Sequence, residues 1–182
     1  MLGSGRQNCK NLLIDVKLKK ESAKPDAKKS MDNVDKKILA LLQQDGKLSN
    51  TKLAEMLNMS ETPCWRRVKR LENEGYIESY QANLNKRKLG YGVLAFVQLT
   101  YTAHDPKTTN DFIDIIQRCD NVLSCHNTTG GADFLLQVVA KDLDDYGLFV
   151  DSVLRKLPGI SDISSSISLR ELKSSNRLPL AN

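Results

Sequence analysis

A cluster of basic side chains is the feature of this sequence best suited to bind a charged ligand. Arg66, Arg67, Lys69 and Arg70 fall within five consecutive positions. Guanidinium and ammonium groups bind phosphate oxygens, and arginine also pairs with the edge of guanine. Because a basic run is often only a solvated helix face, the elements around the cluster must decide between the two readings.

The segment 47–77 predicts two short helices joined by a three-residue turn of Asn58, Met59 and Ser60. Met59 is expected to fill the elbow of this turn. Ser60 is suited to cap the second helix through its hydroxyl, so that helix should begin near Glu61.

The second of these helices has an apolar side and a basic side. At about 100° per residue, Cys64, Val68 and Leu71 form a stripe that can pack on the preceding helices. The opposite side carries Thr62, Arg66, Lys69 and Arg70, and the flanks carry Trp65 and Arg67.

Two further helices are predicted before the basic one. The nearer is capped by Ser49, and the other spans 32–44. Their predicted buried residues are Leu53, Ala54 and Leu57 in the nearer helix, and Ile38, Leu41 and Leu42 in the other. Three short helices that end in a basic face are typical of a helix-turn-helix domain, which lays its last helix in a DNA groove.

The net charge of +5 is distributed unevenly along the 182 residues. Residues 1–30 contain eight Lys/Arg and three Asp/Glu, residues 31–88 contain eleven and eight, and residues 89–182 contain eight and eleven. The basic half is therefore the expected polyanion-binding side. Residues 1–30, which are Lys-rich and lack a sustained apolar period, are predicted to be a basic, mobile arm.

The sequence gives little support to catalysis, metal binding or membrane insertion. No apolar run approaches the roughly 20 residues needed to span a bilayer, so a cytoplasmic, nucleoid-associated protein is expected. The four cysteines lack the spacing of a zinc site and are expected to be reduced thiols. Cys125 and His126 are neighbours on a predicted strand and must point to opposite faces, and His104 has no catalytic partner in the sequence. No enzyme activity, cofactor or metal is expected.

After residue 89 the pattern changes to strands that alternate with helices. The strands are predicted at 91–101, 122–129, 133–140 and 160–172, and the helices at 108–119 and 142–157. The pair Gly130-Gly131 is suited to a tight hairpin turn with positive φ. This order, βαββαβ, is that of a ferredoxin-like sandwich, and the fold class predicted for the whole chain is α+β.

Two of the predicted strands are apolar at nearly every position, namely 93–97 and 134–140. Two helices can cover only one face of a four-stranded sheet, so the other face needs a different cover. A second copy of the same sheet would supply it and produce a two-fold homodimer. An apolar ligand groove is the alternative reading.

From about Met31 to Leu180 the chain resembles the leucine-responsive regulatory protein/AsnC family of prokaryotic transcription regulators. Residues 31–90, which run from MDNVDKKILALL to NLNKRKLG, resemble the family's DNA-binding half. The stretch NTTGGADFLLQVVAKDLDDYGLFVDSVLRKLPGISD resembles its effector half. The closing SSNRLPL fits the leucine-responsive branch. The resemblance implies a winged helix-turn-helix, a crossing strand and hinge within 75–84, and free amino acids as effectors bound between neighbouring dimers.

The resemblance also implies roles for individual residues. It places Ser60, Thr62, Arg66, Arg67 and Arg70 where the family's recognition helix meets DNA, and Lys69 of the same basic cluster completes the predicted DNA-binding residues. The predicted effector-binding residues are Thr129, Gly130, Gly131 and Asp133, in a turn that matches the family's T-G-x-x-D. Without the resemblance, Asp133 reads as a turn residue that satisfies backbone groups, and both readings remain open.

These observations predict a transcription regulator that binds double-stranded DNA, assembles as a homodimer or a larger set of dimers, and senses an amino acid. Its expected parts are an arm (1–30), a helix-turn-helix domain (31–75), a wing strand and hinge (76–90), an effector and oligomerisation domain (91–175) and a tail (176–182). A nucleoid-like architectural protein without an effector, and a sensor or enzyme that acts through the sandwich alone, are the alternatives.

Overall fold

A computed structural model describes residues 31–103 and 105–180. Within them the chain forms two compact units, one comprising residues 31–83 with 173–180 and the other residues 84–172. The predicted arm at 1–30 and His104 lie outside the described residues.

The first unit contains three helices at its amino-terminal end: α1 (Asn33–Gln44), α2 (Asn50–Met56) and α3 (Glu61–Asn73). Asp32 caps α1 and Ser49 caps α2, each by accepting a backbone N–H with its side chain. Such caps satisfy donors that the first helical turn leaves unpaired. The three predicted helices are therefore confirmed.

The helices enclose a small apolar core. Its fully buried members are Ile38, Leu53, Cys64 and Leu71, and Ala54 and Val68 are nearly so. Leu41, Leu42 and Leu57, which were predicted to be buried, pack against this core while remaining partly exposed. The apolar stripe of α3 thus faces the other two helices, as its periodicity predicts.

The segment that follows α3 does not contain the predicted wing strand. Between residues 76 and 90 the chain forms bends and a short 3₁₀ turn at Arg87–Leu89, with no strand. A strand requires a neighbour that satisfies its backbone groups, and the described part of this chain supplies none here. Tyr80 instead returns to the helical unit, where its hydroxyl donates to Glu72 Oε1 at 3.1 Å.

The second unit has the predicted order βαββαβ. Its elements are β1 (Val93–Tyr101), α4 (Pro106–Gln117), β2 (Val122–Asn127), β3 (Phe134–Ala140), α5 (Leu143–Ser152) and β4 (Ile160–Ile167). The four strands form one sheet in the order β2-β3-β1-β4, and β1 pairs antiparallel with both β3 and β4. The predicted ferredoxin-like sandwich is confirmed.

Several predicted element ends need correction. Strand β4 ends at Ile167, opposite Ala95 of β1, rather than at 172; one further backbone hydrogen bond, from Ser168 N–H to the carbonyl of Leu94 at 2.8 Å, follows it. Strand β2 ends at Asn127, so the hairpin loop has six residues instead of a tight turn at Gly130-Gly131. Helix α5 stops at Ser152 and gives way to a 3₁₀ turn at Leu154–Lys156.

The two faces of the sheet differ in cover. One face carries Ala95, Val97, Leu99, Leu136 and Val138, all fully buried under α4 and α5. On the other face Phe96 is 41% exposed, although Val139 is only 5% exposed. Polar side chains such as Gln98 and Ser164 also lie there, so the second face is mixed rather than wholly apolar.

The chain's last described segment belongs to the helical unit. Gln43 of α1 pairs with the backbone of Leu178 in both directions: Leu178 N–H donates to Gln43 Oε1 at 2.6 Å, and Gln43 Nε2 donates to Leu178 O at 3.3 Å. Residues 173–180 therefore lie with the three helices, rather than forming a separate tail from 176 onward.

Candidate nucleic-acid interface and effector loop

The turn before α3 has the geometry that a helix-turn-helix requires. Asn58 adopts a positive φ of 52°, which asparagine tolerates better than most residues. Met59 packs on the helical core, as predicted. Ser60 stands at the N-cap of α3, but its side chain makes no capping hydrogen bond, so the predicted hydroxyl cap is wrong. Ser60 is exposed, and its hydroxyl is not used by the helix.

Two of the predicted DNA-binding arginines pair with aspartates of the first helical turn. Asp35 is fully buried, and its Oδ1 lies 2.8 Å from Arg67 Nη1 while its Oδ2 pairs with Arg70 Nη2. Arg67 Nη1 also lies 2.6 Å from Asp32 Oδ2. We call these four residues the Asp35 network. A buried carboxylate is tolerated only when such partners compensate its lost hydration.

The Asp35 network corrects the predicted directions of two side chains. Arg70 was expected on the outer side of α3 and Arg67 on its flank, but both guanidinium groups turn toward α1. Their side chains are only 23% and 28% exposed. The cause is the buried charge of Asp35, which helical periodicity alone does not reveal.

The same contacts hold the charges of the network in place. Asp32 accepts the backbone N–H of Asp35 and pairs with Arg67, and these contacts lower the pKa of the Asp32 carboxyl to about 2. The carboxylates of Asp32 and Asp35 in turn raise the pKa of Arg67. Asp32 and Arg67 are therefore both charged at neutral pH.

Four of the six predicted DNA-binding residues are exposed: Ser60 at the N-cap, and three residues of α3. Thr62, Arg66 and Lys69 are exposed on the outer side of α3. Lys69 Nζ donates to Glu72 Oε2 at 2.7 Å, an exposed contact one helical turn away. Arg66 makes no ion pair with any described residue. Of the four clustered basic residues, Arg66 thus has the most available charge.

Sequence reasoning missed the contribution of Asp32 and Asp35. A usable signal was present, since Asp-x-x-Asp near the start of α1 has the same three-residue spacing as Arg67 and Arg70 on α3. Residues three apart lie on one helix face, so two carboxylates can meet two guanidinium groups. The packing of α1 against α3 was needed to bring the pairs together.

The predicted effector residues lie in the loop 128–133. Its exposed tip consists of Thr129, Gly130 and Gly131. Gly130 has a φ of 123°, a conformation that favours glycine, and nothing lies within 4 Å of a Cβ placed at either glycine. The base of the loop is closed by Thr128 N–H, which donates to the carbonyl of Asp133 at 2.8 Å.

Asp133 has a structural task in this loop. Its Oδ2 accepts the backbone N–H of Tyr101 at 2.7 Å, and its own N–H donates to the carbonyl of Leu99 at 2.9 Å. The side chain of Asp133 therefore satisfies a backbone N–H of β1 rather than one of its own turn. Its role in effector binding remains a prediction.

An open cleft of about 450 Å³ lies elsewhere in the second unit. It is lined by residues 84–87, 91–94, 168, 170 and 171, and Lys86 Nζ lies 3.5 Å from Glu171 Oε1. The residues of loop 128–133 do not line this cleft. The exposed loop tip would need a further surface to enclose a small molecule.

The thiol and imidazole of β2 are arranged as the strand geometry predicts. Cys125 packs against the core, whereas His126 is exposed. Burial raises the pKa of the Cys125 thiol to about 11, so it is protonated at neutral pH. Within residues 31–103 and 105–180, no helix combines the length and the apolar character needed to cross a bilayer.

The fold and the site define a helix-turn-helix regulator joined to a ligand-binding βαββαβ domain. A family model described as winged helix-turn-helix DNA-binding matches residues 31–78, and one described as the Lrp/AsnC ligand binding domain matches residues 94–178. The chain belongs to the Lrp/AsnC family, and the resemblance seen in its sequence is confirmed. It is a DNA-binding transcription regulator of that family, whose activity an effector modulates.

Relatives and solved structures agree with this assignment. The leucine-responsive regulatory proteins of Klebsiella pneumoniae and Escherichia coli K12 are each 36% identical over 150 residues, which is 82% of this chain and 92% of theirs. A Neisseria meningitidis transcriptional regulator, solved as a complex with L-methionine, is 35% identical with a TM-score of 0.80 over 83% of this chain and 97% of its own. An AsnC-family regulator from Agrobacterium tumefaciens is 33% identical with a TM-score of 0.78, over 82% and 97%.

Proposed function

We propose that the protein binds duplex DNA by placing α3 in the major groove. The residues predicted to contact DNA then fall into two groups. Residues on the outer side contact DNA: Ser60, Thr62, Arg66 and Lys69. Arg67 and Arg70 are positioning residues that hold α3 at its angle to α1. The observation that carries this division is the buried carboxylate of Asp35, which pairs with both arginines.

Arg66 is the residue assigned to base reading. It is exposed near the middle of α3 and makes no ion pair with any described residue. Arginine reads guanine with two parallel hydrogen bonds, which requires an uncommitted guanidinium group. Ser60 and Lys69 are suited to phosphate contacts, which fix the register of the helix without reading sequence.

We infer that the effector is a free amino acid and that it binds against the tip of loop 128–133. The ligand-binding family model covers this loop, and the Neisseria relative was solved with L-methionine. The tip residues Thr129, Gly130 and Gly131 are exposed, so a neighbouring dimer could complete an enclosed site. In this proposal Asp133 contributes through its carboxylate charge as well as through its contact with Tyr101.

The proposed dimer forms through the half-covered face of the sheet. Leu94 and Leu135 are partly buried there, and Phe96 is 41% exposed. A second copy of this face would bury these side chains around a two-fold axis. Dimers are then the units that assemble further around bound effector.

We further propose that the protein acts without catalysis, on nucleoid DNA in the cytoplasm. The Cys125 thiol is protonated at neutral pH, and His126 lies on the opposite side of the strand, so the two cannot act as a nucleophile and its base. The relatives reported above are transcription regulators.

The division of the arginines is tested by alanine substitutions in the full-length protein. Arg66→Ala should weaken binding to a duplex selected by the wild type by roughly 1–3 kcal/mol without changing the melting temperature. Arg67→Ala should instead lower the melting temperature, because it leaves the buried Asp35 short of a partner. Fluorescence anisotropy and thermal denaturation separate the two effects.

Arg155→Ala is the matched control. It removes one exposed arginine, 70% exposed and paired with Asp151, from the other unit. It should alter neither specific DNA affinity nor stability by much, since exposed ion pairs contribute little. Equal affinity losses in the Arg66 and Arg155 variants would reject the proposed contact face.

A further inference from the structure

Trp65 is the one tryptophan in the chain and lies near the start of the recognition helix α3. It is 46% exposed. Tryptophan side chains are usually well buried, and a half-exposed indole on a polar helix face calls for a partner.

Trp65 makes no aromatic ring contact with any described residue. Trp65 belongs to neither hydrophobic cluster, and the aromatic contacts among residues 31–103 and 105–180 connect Tyr101, Phe112 and Phe134 in the other unit. The residues that α3 does bury are Cys64, Val68 and Leu71. The exposed part of the indole is therefore not needed to hold the helical core together.

The position of Trp65 places it beside the proposed DNA contacts. It is three residues after Thr62 and four before Lys69, so it is a surface neighbour of both. It is also the fifth of the 13 residues of α3, within the half of a recognition helix that approaches base edges. The basic charges of Arg66 and Lys69 on the same surface complement the phosphates on either side of a groove.

We propose that Trp65 is a specificity-determining residue that packs its indole on the C5-methyl group of thymine in the major groove. That methyl is the apolar group which the major groove presents, and apolar side chains read it by contact. This inference rests on the proposed DNA-binding function and adds to it a preferred base. The expected operator carries thymine at a fixed position in each half-site.

In vitro selection from a random-sequence duplex pool tests the preference directly. Full-length wild type, Trp65→Phe and Trp65→Ala are carried through parallel selections. The wild type should enrich thymine at one position of each half-site, Trp65→Phe should keep part of that preference, and Trp65→Ala should lose it. Leu143→Ala, which truncates a side chain 64% exposed on α5, should behave as the wild type.

Replacing the enriched thymine by deoxyuridine removes only the methyl group. Wild-type affinity should then fall about fourfold, the factor expected from losing one buried methylene-sized group. The affinity of Trp65→Ala should be insensitive to the same change, because the partner of the methyl is already absent. If both proteins lose the same factor, another residue reads the methyl and the inference is overturned.

The emission of the single tryptophan provides a second readout. Trp65 is excited at a wavelength that tyrosine does not absorb. Its emission should shift to shorter wavelength or be quenched when the selected duplex is added. Unchanged emission at saturating duplex overturns the inference. Emission that instead changes with protein concentration in the absence of DNA also overturns it, because the indole then lies in a contact between copies of the chain. A wild type that enriches no sequence rejects the proposed function as well, whereas a thymine preference that survives Trp65→Ala rejects this inference alone.

Discussion

The basic cluster of α3 contains less available charge than its composition indicates. Arg67 and Arg70 are compensated by the aspartates of the Asp35 network, and Lys69 has a nearby carboxylate in Glu72. The salt dependence of DNA binding reports how many phosphates a protein neutralises. The DNA affinity should therefore depend less steeply on salt concentration than four free basic residues on this helix would make it. Arg66 should make the largest contribution to that dependence.

The Asp35 network also makes the helical unit sensitive to acid. The pKa of Asp32 is lowered to about 2 in the folded protein, from an ordinary value of 3.8. A lowered carboxyl pKa means stabilisation that is fully present above about pH 4 and is lost as the pH falls toward 2. Asp32→Asn keeps an oxygen for the helix cap but removes the charge that pairs with Arg67. It should be less stable than the wild type at neutral pH, and the difference should vanish toward pH 2.

Urea denaturation followed by Trp65 emission measures this difference, since Trp65 lies in the helical unit. The series runs from pH 7 to pH 2 at constant ionic strength. If the difference in unfolding free energy between wild type and variant were the same at every pH, the charged contact with Arg67 would not stabilise the fold.

At the scale of elements, left-handed glycines set where the chain turns. Gly75 follows α3 with a φ of 75°, and Gly159 precedes β4 with a φ of 79°. A Cβ at Gly75 would meet nothing within 4 Å, whereas one at Gly159 would lie 2.8 Å from Ala103 Cβ and 2.9 Å from Tyr101 Cζ. At Gly75 a side chain is therefore disfavoured by the backbone conformation alone, whereas at Gly159 it is disfavoured by close packing as well.

These two glycines form a matched pair for substitution. Gly75→Ala should cost about 1 kcal/mol, the strain of a left-handed alanine. Gly159→Ala should cost that amount plus about 1–3 kcal/mol, because the added methyl crowds Tyr101. Chemical denaturation with probes for each unit gives both values. Equal costs would mean that Tyr101 moves aside freely.

At the scale of the whole molecule, the half-covered sheet face is the surface expected to form the dimer. Phe96→Arg places a charge at the centre of that face, so the dimer should dissociate while the monomer keeps its fold. Leu148→Arg is the control, since Leu148 is 69% exposed on α5, away from this face. Sedimentation velocity should show monomers for the first variant and wild-type assembly for the second. Intact dimers of Phe96→Arg would place the interface elsewhere.

Effector sensing is tested most cleanly by Asp133→Asn. The amide retains an oxygen that can accept the Tyr101 N–H, so the loop should stay folded, while the carboxylate charge is lost. A thermal-shift screen of the twenty amino acids first identifies the ligand, because a ligand of the folded state raises apparent stability. Asp133→Asn should then bind DNA without effector as the wild type does, but its DNA affinity and assembly should no longer respond to that amino acid.

Asp144→Asn removes an exposed carboxylate from the first turn of α5 and serves as the charge-matched control. It should keep the wild-type response. If Asp133→Asn responds to the amino acid as the wild type does, Asp133 is only a structural residue of the loop and the effector site lies elsewhere.

The sequence by itself determined the features that depend on short separations along the chain. The 3.6-residue period placed α1 to α3 and the buried stripe of α3, and apolar runs bounded by turns placed the four strands in order. Several spaced motifs identified the family. These signals are local, so one sequence is sufficient to read them.

The tertiary structure decided which partner each polar side chain finds. Arg67 and Asp35 are 32 positions apart, as are Tyr101 and Asp133, and nothing local to either residue specifies the other. The end of β2 was likewise set by its neighbour in the sheet, since Asn127 pairs with Phe134, the first residue of β3. Helical periodicity gives the direction in which a side chain leaves its helix, but only packing supplies the charge that redirects it. For this reason Arg67 and Arg70 turn inward, and Arg66 and Trp65 remain on the surface of α3.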